Sequence, residues 1–287
     1  MSLSALYDLP APAKLNLFLH VVGRRPDGYH LLQSVFTLID WCDTLHIERR
    51  ADGQISREDL GPTLPADDLC TRAARLLQSA SGTTQGAHIA IDKQVPWGAG
   101  LGGGSSDAAT TLIALNRLWG LHWSRSRLLE LGLQLGADVP FFIGGHNAWV
   151  EGIGEQLTPI ALPPAHYVVL KPPVAVPTAA IFSSPLLTRD TPRTTMAVFL
   201  AQPKSFGKND LQASAEAYSP QIVDGLEILR QNFGLSRMSG SGSAVFAACD
   251  AQQPVNLVRS LVTPDSSWVA RHCNSLAFHP LLAWCAD

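Results

Sequence analysis

The chain has 287 residues, 46% of them hydrophobic and 16% charged, with a formal net charge of −3. That much apolar material excludes a disordered chain and suits one large domain or two modest ones. A charge near neutrality, with no basic run, excludes a general electrostatic pull toward nucleic acid or an anionic membrane surface. Any anionic ligand must therefore be gathered by local groups.

No apolar run reaches the roughly 18 residues of a membrane helix, and the N-terminus lacks a basic stretch followed by an apolar one. The five cysteines (Cys42, Cys70, Cys249, Cys273, Cys285) are scattered and form no C-x-x-C pair. The expectation is a cytoplasmic protein with no disulfide frame and no zinc site, that binds neither nucleic acid nor membrane.

In chain order, Leu15, Leu17, Leu19 and Val21 alternate, which predicts a strand over 15–22 closed by the turn formers of 23–28. Two further strands are expected at 31–41 and 44–49. A helix is expected over 68–79 with Asp67 as its cap, then a strand over 86–91. After a glycine-rich loop comes a helix over 105–119: Ala108, Leu112, Leu115 and Trp119 share one helical face, and Gly120 stops it. Ser124 caps a further helix running to about residue 135 and closed by Gly136. The proline-rich passage from Pro159 to Pro177 reads as a domain seam. Beyond it follow a strand at 167–170, helices near 209–218 and 220–232, a glycine turn at 239–243, a strand at 244–249, a short helix at 255–262 and a strand at 267–272. The expected organisation is a mixed α/β domain over residues 1–160 and a smaller α+β domain over 161–287.

The loop Pro96-Trp97-Gly98-Ala99-Gly100-Leu101-Gly102-Gly103-Gly104-Ser105-Ser106 is the most informative segment. Its glycines cost backbone entropy on folding, so something must need their freedom. A backbone without Cβ atoms can approach a ligand closely, and the helix that follows adds free amides and the positive end of its dipole, a ready phosphate site. Ser105 and Ser106 can cap that helix, donate to phosphate, or reach a metal ion. A plain strand-to-helix turn would need only one or two glycines. Gly98, Gly100 and Gly103 satisfy the G-x-G-x-x-G dinucleotide spacing, but the acid expected about 20 residues on is missing from 118–123. No lysine follows Gly103 or Gly104, so the P-loop pattern fails too. The loop is a phosphate cradle of another kind.

Followed by Asp107-Ala108-Ala109, this loop resembles the second signature of the GHMP kinases, a family named for galacto-, homoserine, mevalonate and phosphomevalonate kinases. Pro12-Ala13-Lys14-Leu15-Asn16-Leu17 resembles the first signature and Ser239 to Phe246 the third. Arg25 to Leu32 and Leu135 to Phe142 add two more spaced matches, and bring the chain nearest to members that act on a cytidine diphosphate-linked methylerythritol in isoprenoid precursor synthesis. The resemblance implies a two-domain fold with a left-handed β-α-β crossover, ATP and substrate meeting in the cleft between domains, and magnesium as the accompanying ion; a monomer or weak homodimer is expected. It also implies that residues 96–106 hold ATP.

By the same resemblance Asp138 is the catalytic carboxylate and Lys14 its partner. The chemistry is coherent: phosphoryl transfer needs a positioned hydroxyl, help with its proton, and positive charge near the moving group. Asp138 either accepts the proton or orients the hydroxyl; taken singly, it would read as a turn cap ahead of Pro140, and Lys14 as a solvated strand residue. Asn16 lies one strand step from Lys14, with its side chain on the same face; it either hydrogen-bonds the reacting hydroxyl of the substrate or the lysine, or is a plain exposed strand amide. The resemblance assigns the cytosine ring to Tyr29 by stacking and His30 by hydrogen bonds, with Phe182 on the ring's other side; unaided, Phe182 reads as core. Lys93 either touches a nucleotide phosphate or is a solvated strand end. Asp107 either helps hold magnesium or favours the helix start through its dipole, and the sequence names no metal ligand. A non-catalytic nucleotide sensor and a dinucleotide oxidoreductase are the readings from other functional classes.

Overall fold

The computed structural model describes residues 3–250 and 267–287. Its strands join into one ten-stranded sheet whose main path runs β3-β4-β2-β10-β7-β9-β8. The strands and helices, in chain order, are β1 (Ala5–Arg24), β2 (His30–Arg50), β3 (Ile55–Asp59), α1 (Leu69–Ser81), β4 (Gly86–Asp92), α2 (Gly103–Leu118), α3 (Arg125–Leu133), α4 (Val139–Gly144), β5 (Ala148–Glu151) and β6 (Gln156–Pro159). There follow β7 (His166–Lys171), α5 (Thr178–Ser183), α6 (Met196–Ala201), α7 (Gln212–Tyr218), α8 (Pro220–Phe233), β8 (Ser236–Met238), β9 (Val245–Cys249) and β10 (Val269–Leu276). The mixed α/β character matches the expectation. The helix expected at 255–262 lies outside the described residues.

Several boundaries differ for physical reasons. The strand expected at 15–22 is the second half of the longer β1, which pairs antiparallel with β2 along nearly its whole length. From Ala11 to Val21 both of its faces are buried, so alternation is legible only where one face carries the polar residues Lys14, Asn16 and His20. The two strands expected at 31–41 and 44–49 are one strand, β2. The register slips from Pro12↔Cys42 to Ala13↔Ile39, a bulge that absorbs the polar stretch the sequence reads as a break. Asp68, not Asp67, caps α1, its Oδ1 accepting from the Thr71 amide at 2.9 Å. Ser124 caps α3 as expected, though the helix ends at Leu133.

The core forms where helices cover the sheet. On α2, Ala108, Leu112 and Leu115 are fully buried and Trp119 just past its end nearly so; each such large side chain contributes roughly 1.5–3 kcal/mol. α2 packs on β1, β2, α1 and α4, which explains why its polar Thr110, Thr111 and Asn116 are buried as well. β3 and β4 pair in parallel, joined through α1. β10 pairs with β2 at Ser275↔Ile39 and with β7 over six residues, so the end of the chain ties strands from both sides of the proline-rich passage together. No helix among the described residues is long and apolar enough to cross a membrane.

Candidate active site

The glycine loop is held by backbone on two sides. The Lys14 amide donates to the Leu101 carbonyl at 2.9 Å and the Ala244 amide to the Ala99 carbonyl at 3.0 Å. Ser239 Oγ donates to the Gly100 carbonyl at 2.9 Å and accepts from the Asn16 amide at 3.1 Å. The turn at 239–243 thus packs beside the loop and couples it to β1. A Cβ on Gly100 would lie 2.1 Å from the Ser239 carbonyl oxygen, and one on Gly102 would lie 2.9 Å from the Phe142 ring and 3.1 Å from the Lys14 stem. Both residues have positive φ, 74° and 72°, so the close approach and the backbone shape each require glycine.

α2 begins at Gly103 with Gly102 at its N-cap and no capping side chain. Ser105 and Ser106 therefore stand inside the first turn and do not cap it, contrary to one of their sequence readings. The uncapped turn leaves amide N–H groups free for an anion. Ser106 is fully buried and its Oγ has no hydrogen-bond partner. Ala99 and Leu101 are buried, so they serve the loop through their backbone. Gly104 is half-buried, as is Pro96, while Trp97 is 66% exposed.

A cavity of about 260 Å³ gathers Lys14, Asn16 and Asp138 with Gly98, Gly100 and Gly102 of the loop. Asp138 occupies the N-cap position of α4 but its side chain makes no capping bond, which sets aside the turn-cap reading. Its Oδ2 lies 3.7 Å from Lys14 Nζ. Lys14 is 3% exposed; it donates to Asn16 Oδ1 at 2.5 Å and sits 4.6 Å from the centre of the Phe36 ring. Burial pulls the Lys14 pKa below the ordinary lysine value, and Asp138 offsets only part of that. Asn16 is fixed in turn, donating to Ser34 Oγ at 3.0 Å, which donates to the Phe18 carbonyl. The solvated-strand reading of Lys14 does not hold.

A second cavity, about 760 Å³, is lined by Tyr29, His30 and Phe182 together with Arg24 and Arg189. It shares Leu32, Ile153, Thr178 and Phe182 with the first, so the two form one continuous cleft. Tyr29 is 60% exposed, available as a face for a ring. His30 and Phe182 rings stand 5.2 Å apart at 31°, in direct contact with each other. Arg189 Nε donates to His30 Nε2 at 3.2 Å, which leaves Nδ1 carrying the proton. Burial first, then the charges of Arg189 and Arg24, lower the His30 pKa and keep the ring neutral at pH 7. Sequence reasoning missed Arg189, which sits in an irregular segment with no periodicity to mark it.

Lys93 corrects both of its sequence readings. It is neither solvated nor free for phosphate: its ammonium bridges Asp43 and Asp107, at 2.5 Å to the latter. Asp43 is fully buried and also accepts from the Gln94 and Val95 amides at 2.6 and 2.7 Å, which anchors the approach to the loop. Asp107, 2% exposed, is thus a partner of Lys93 at the start of α2. Among the described residues no group of three His, Cys, Asp or Glu is placed to hold a metal ion.

Residues 68–146 match the family described as GHMP kinases N terminal domain, and residues 198–263 match GHMP kinases C terminal. The chain is 66% identical over 285 residues to 4-diphosphocytidyl-2-C-methyl-D-erythritol kinase of Methylibium petroleiphilum, covering 99% of each chain. It is 59% identical to the kinase of the same name from Ralstonia nicotianae, covering 96% of each. A crystal structure of 4-(cytidine 5'-diphospho)-2C-methyl-D-erythritol kinase superposes with a TM-score of 0.79 at 34% identity, over 93% of this chain and 98% of that one. Mevalonate kinase from L. major, 14% identical, shares the fold with a TM-score of 0.66 over 96% and 99% of the two chains. With near-complete coverage in both directions, the chain belongs to the GHMP kinase family, among its 4-diphosphocytidyl-2-C-methyl-D-erythritol kinases.

Proposed function

We propose that the protein transfers the γ-phosphoryl group of ATP to the 2-hydroxyl of 4-diphosphocytidyl-2-C-methyl-D-erythritol, a step of non-mevalonate isoprenoid precursor synthesis, and that Lys14 and Asp138 carry the transfer. The observation that carries this reading is the ion pair between these two side chains, 3.7 Å apart in the cavity that the glycine loop also lines. The loop amides and the uncapped start of α2 receive the phosphates. The substrate hydroxyl meets Asp138, which accepts its proton or aligns it for attack, while Lys14 favours the charge that builds on the transferring group. Asn16 holds the lysine ammonium in place.

In this reading the cytosine ring lies against the exposed face of Tyr29, with His30 Nδ1–H as a donor to it and Phe182 on its other side. Magnesium would be held by the ATP phosphates and water with few protein ligands, as is usual in such sites. The Ser106 hydroxyl, buried at the start of α2 and without a partner, is the protein oxygen that fits it; the ion would neutralise phosphate charge. A lobe over residues 1–160 and a smaller one over 161–287, a cytoplasmic location, and a monomer or weak homodimer complete the proposal.

The test is ADP release with the cytidine-linked substrate, ATP and magnesium, using wild type beside Asp138→Asn. Turnover by the wild type alone is the expected result. Near-normal turnover by the variant would remove Asp138 from the mechanism, and no turnover by the wild type would remove the substrate assignment.

A further inference from the structure

Arg189 follows α5 in an irregular segment and is half-buried. Its Nε donates to His30 Nε2 at 3.2 Å. Nη1 donates to the Leu187 carbonyl at 3.0 Å, and Nη2 to the Ser184 and Phe182 carbonyls at 2.9 and 3.3 Å. The guanidinium is thus pinned between the start of β2 and the chain that carries Phe182. It is planar, always charged and a donor only, so its bond to the histidine cannot reverse. Nε2 accepts, and the neutral ring keeps its hydrogen on Nδ1.

Nδ1 is the nitrogen left for a ligand. Among the described residues it makes no hydrogen bond and is not enclosed, and His30 lines the cavity beside Tyr29 and Phe182. Burial, then the charges of Arg189 and Arg24, disfavour the doubly protonated ring, so His30 offers one fixed donor. A pyrimidine meets that donor through the atom at ring position 3. In cytosine N3 is a bare acceptor, whereas in uracil it carries a hydrogen of its own. A histidine free to exchange tautomers would suit both bases. One held by arginine pairs with cytosine and is left as an unpaired donor against uracil.

We propose that Arg189 is a specificity-determining positioning residue, which locks His30 as a donor toward the base and so makes the kinase select a cytosine-bearing over a uracil-bearing substrate. The inference rests on the reading of Tyr29, His30 and Phe182 as the base site and goes beyond it, because Arg189 acts through His30. Its bonds to carbonyls alone would make it a brace for residues 182–187. The bond to a ring nitrogen ties that brace to the choice of base.

The test compares kcat/KM for the cytidine-linked substrate and its uridine-linked analogue, with ¹⁵N NMR of the histidine-labelled full chain reporting the His30 tautomer. The His30 signals are assigned as those lost in His30→Gln. The wild type should show the Nδ1–H form and prefer the cytidine-linked substrate by at least about 100-fold. Arg189→Met should release the Nε2–H form and cut that preference by about tenfold, through the KM values of the two base-bearing substrates, with the KM for ATP unchanged. Arg189→Lys keeps a donor for Nε2 and should lose less of the preference. Equal losses on both substrates in Arg189→Met would mark a mere brace and overturn the proposal. Should that variant fail to fold, the wild-type tautomer still decides, since an Nε2–H ring there would overturn it too. Turnover of both substrates alike by the wild type would overturn this proposal alone, whereas turnover of neither would overturn the kinase reading beneath it.

Discussion

Lys14 and Lys93 are both buried lysines beside the same glycine loop, yet burial leaves them in opposite states. For Lys14 burial lowers the pKa and one carboxylate, 3.7 Å away, offsets only part of it. For Lys93 burial acts in the same direction, but Asp107 and Asp43 at hydrogen-bond distance more than reverse it, and its pKa is raised. Lys14 borders the reaction cavity, opposite an aspartate whose side chain is 32% exposed. Lys93 is enclosed between two carboxylates whose side chains are 0% and 3% exposed. A loosely paired lysine at a cavity can respond to a ligand's charge; a doubly paired one in the interior can only hold structure. Burial alone does not separate a chemical lysine from a structural one, but the tightness and number of its partners do.

Substitutions at the two sites should therefore fail in different ways. The largest effect is expected at the cleft: Asp138→Asn and Lys14→Met should each lower kcat by about 10²–10⁴-fold, while thermal melting stays within a few degrees of wild type. A kcat loss that merely tracked lost stability would erase the contrast.

At the interior site the order reverses. Lys93→Met leaves two buried carboxylates without their cation and should cost about 3–5 kcal/mol in urea unfolding, with kcat of the remaining folded enzyme nearly unchanged. Adding Asp43→Asn and Asp107→Asn should restore much of that stability, because no unpaired charge is then left inside. A triple variant as unstable as the single one would break the argument.

Next in size is the far end of the cleft. Tyr29→Ala should raise the KM for the cytidine-linked substrate by an amount equivalent to about 1–3 kcal/mol, the range for one base on one aromatic face, and leave the KM for ATP alone. Equal rises for both ligands would count against a stacking role.

The two lysines also part company with rising pH. Lys14, with its folded pKa below the unfolded value, loses its proton first, and because the unfolded chain then binds the extra proton, that loss does not weaken the fold. Lys93, with its folded pKa raised, stabilises the fold fully below the ordinary lysine pKa, and that contribution disappears only as pH climbs through the higher folded value. The alkaline fall in kcat should therefore precede the alkaline fall in stability. Lys14→Arg, in whatever activity it retains, should shift the kinetic limb upward and leave the stability limb in place. Coincident limbs in the wild type would contradict the assignment.

Much of this site is legible in the chain. The glycine loop announces a backbone cradle because only a close approach rewards so many residues without Cβ atoms, and Gly100 against Ser239 is that approach. Lys14 and Asn16 fall on one strand face by period alone. Lys93 is not legible, because its partners come from β2 and α2 and nothing local pairs them. β2 reads as two strands because the polar stretch near Asp43 interrupts its apolar pattern, and only the bulge against β1 shows how one strand absorbs it. The short strands β5 and β6 and the helix α4 carry too few residues for a period to show. Arg189 gains its meaning only from a histidine 159 residues away.

The sequence by itself determined what is local or periodic: the two apolar rhythms, the helix caps at Ser124 and near Asp68, and the glycine loop with its adjoining helix. Only the tertiary structure decided which charges are shared and which stand alone, since the energy of a buried ion depends on groups within a few ångströms of it. Those groups arrive from distant parts of the chain, brought together by a sheet that β10 closes between β2 and β7.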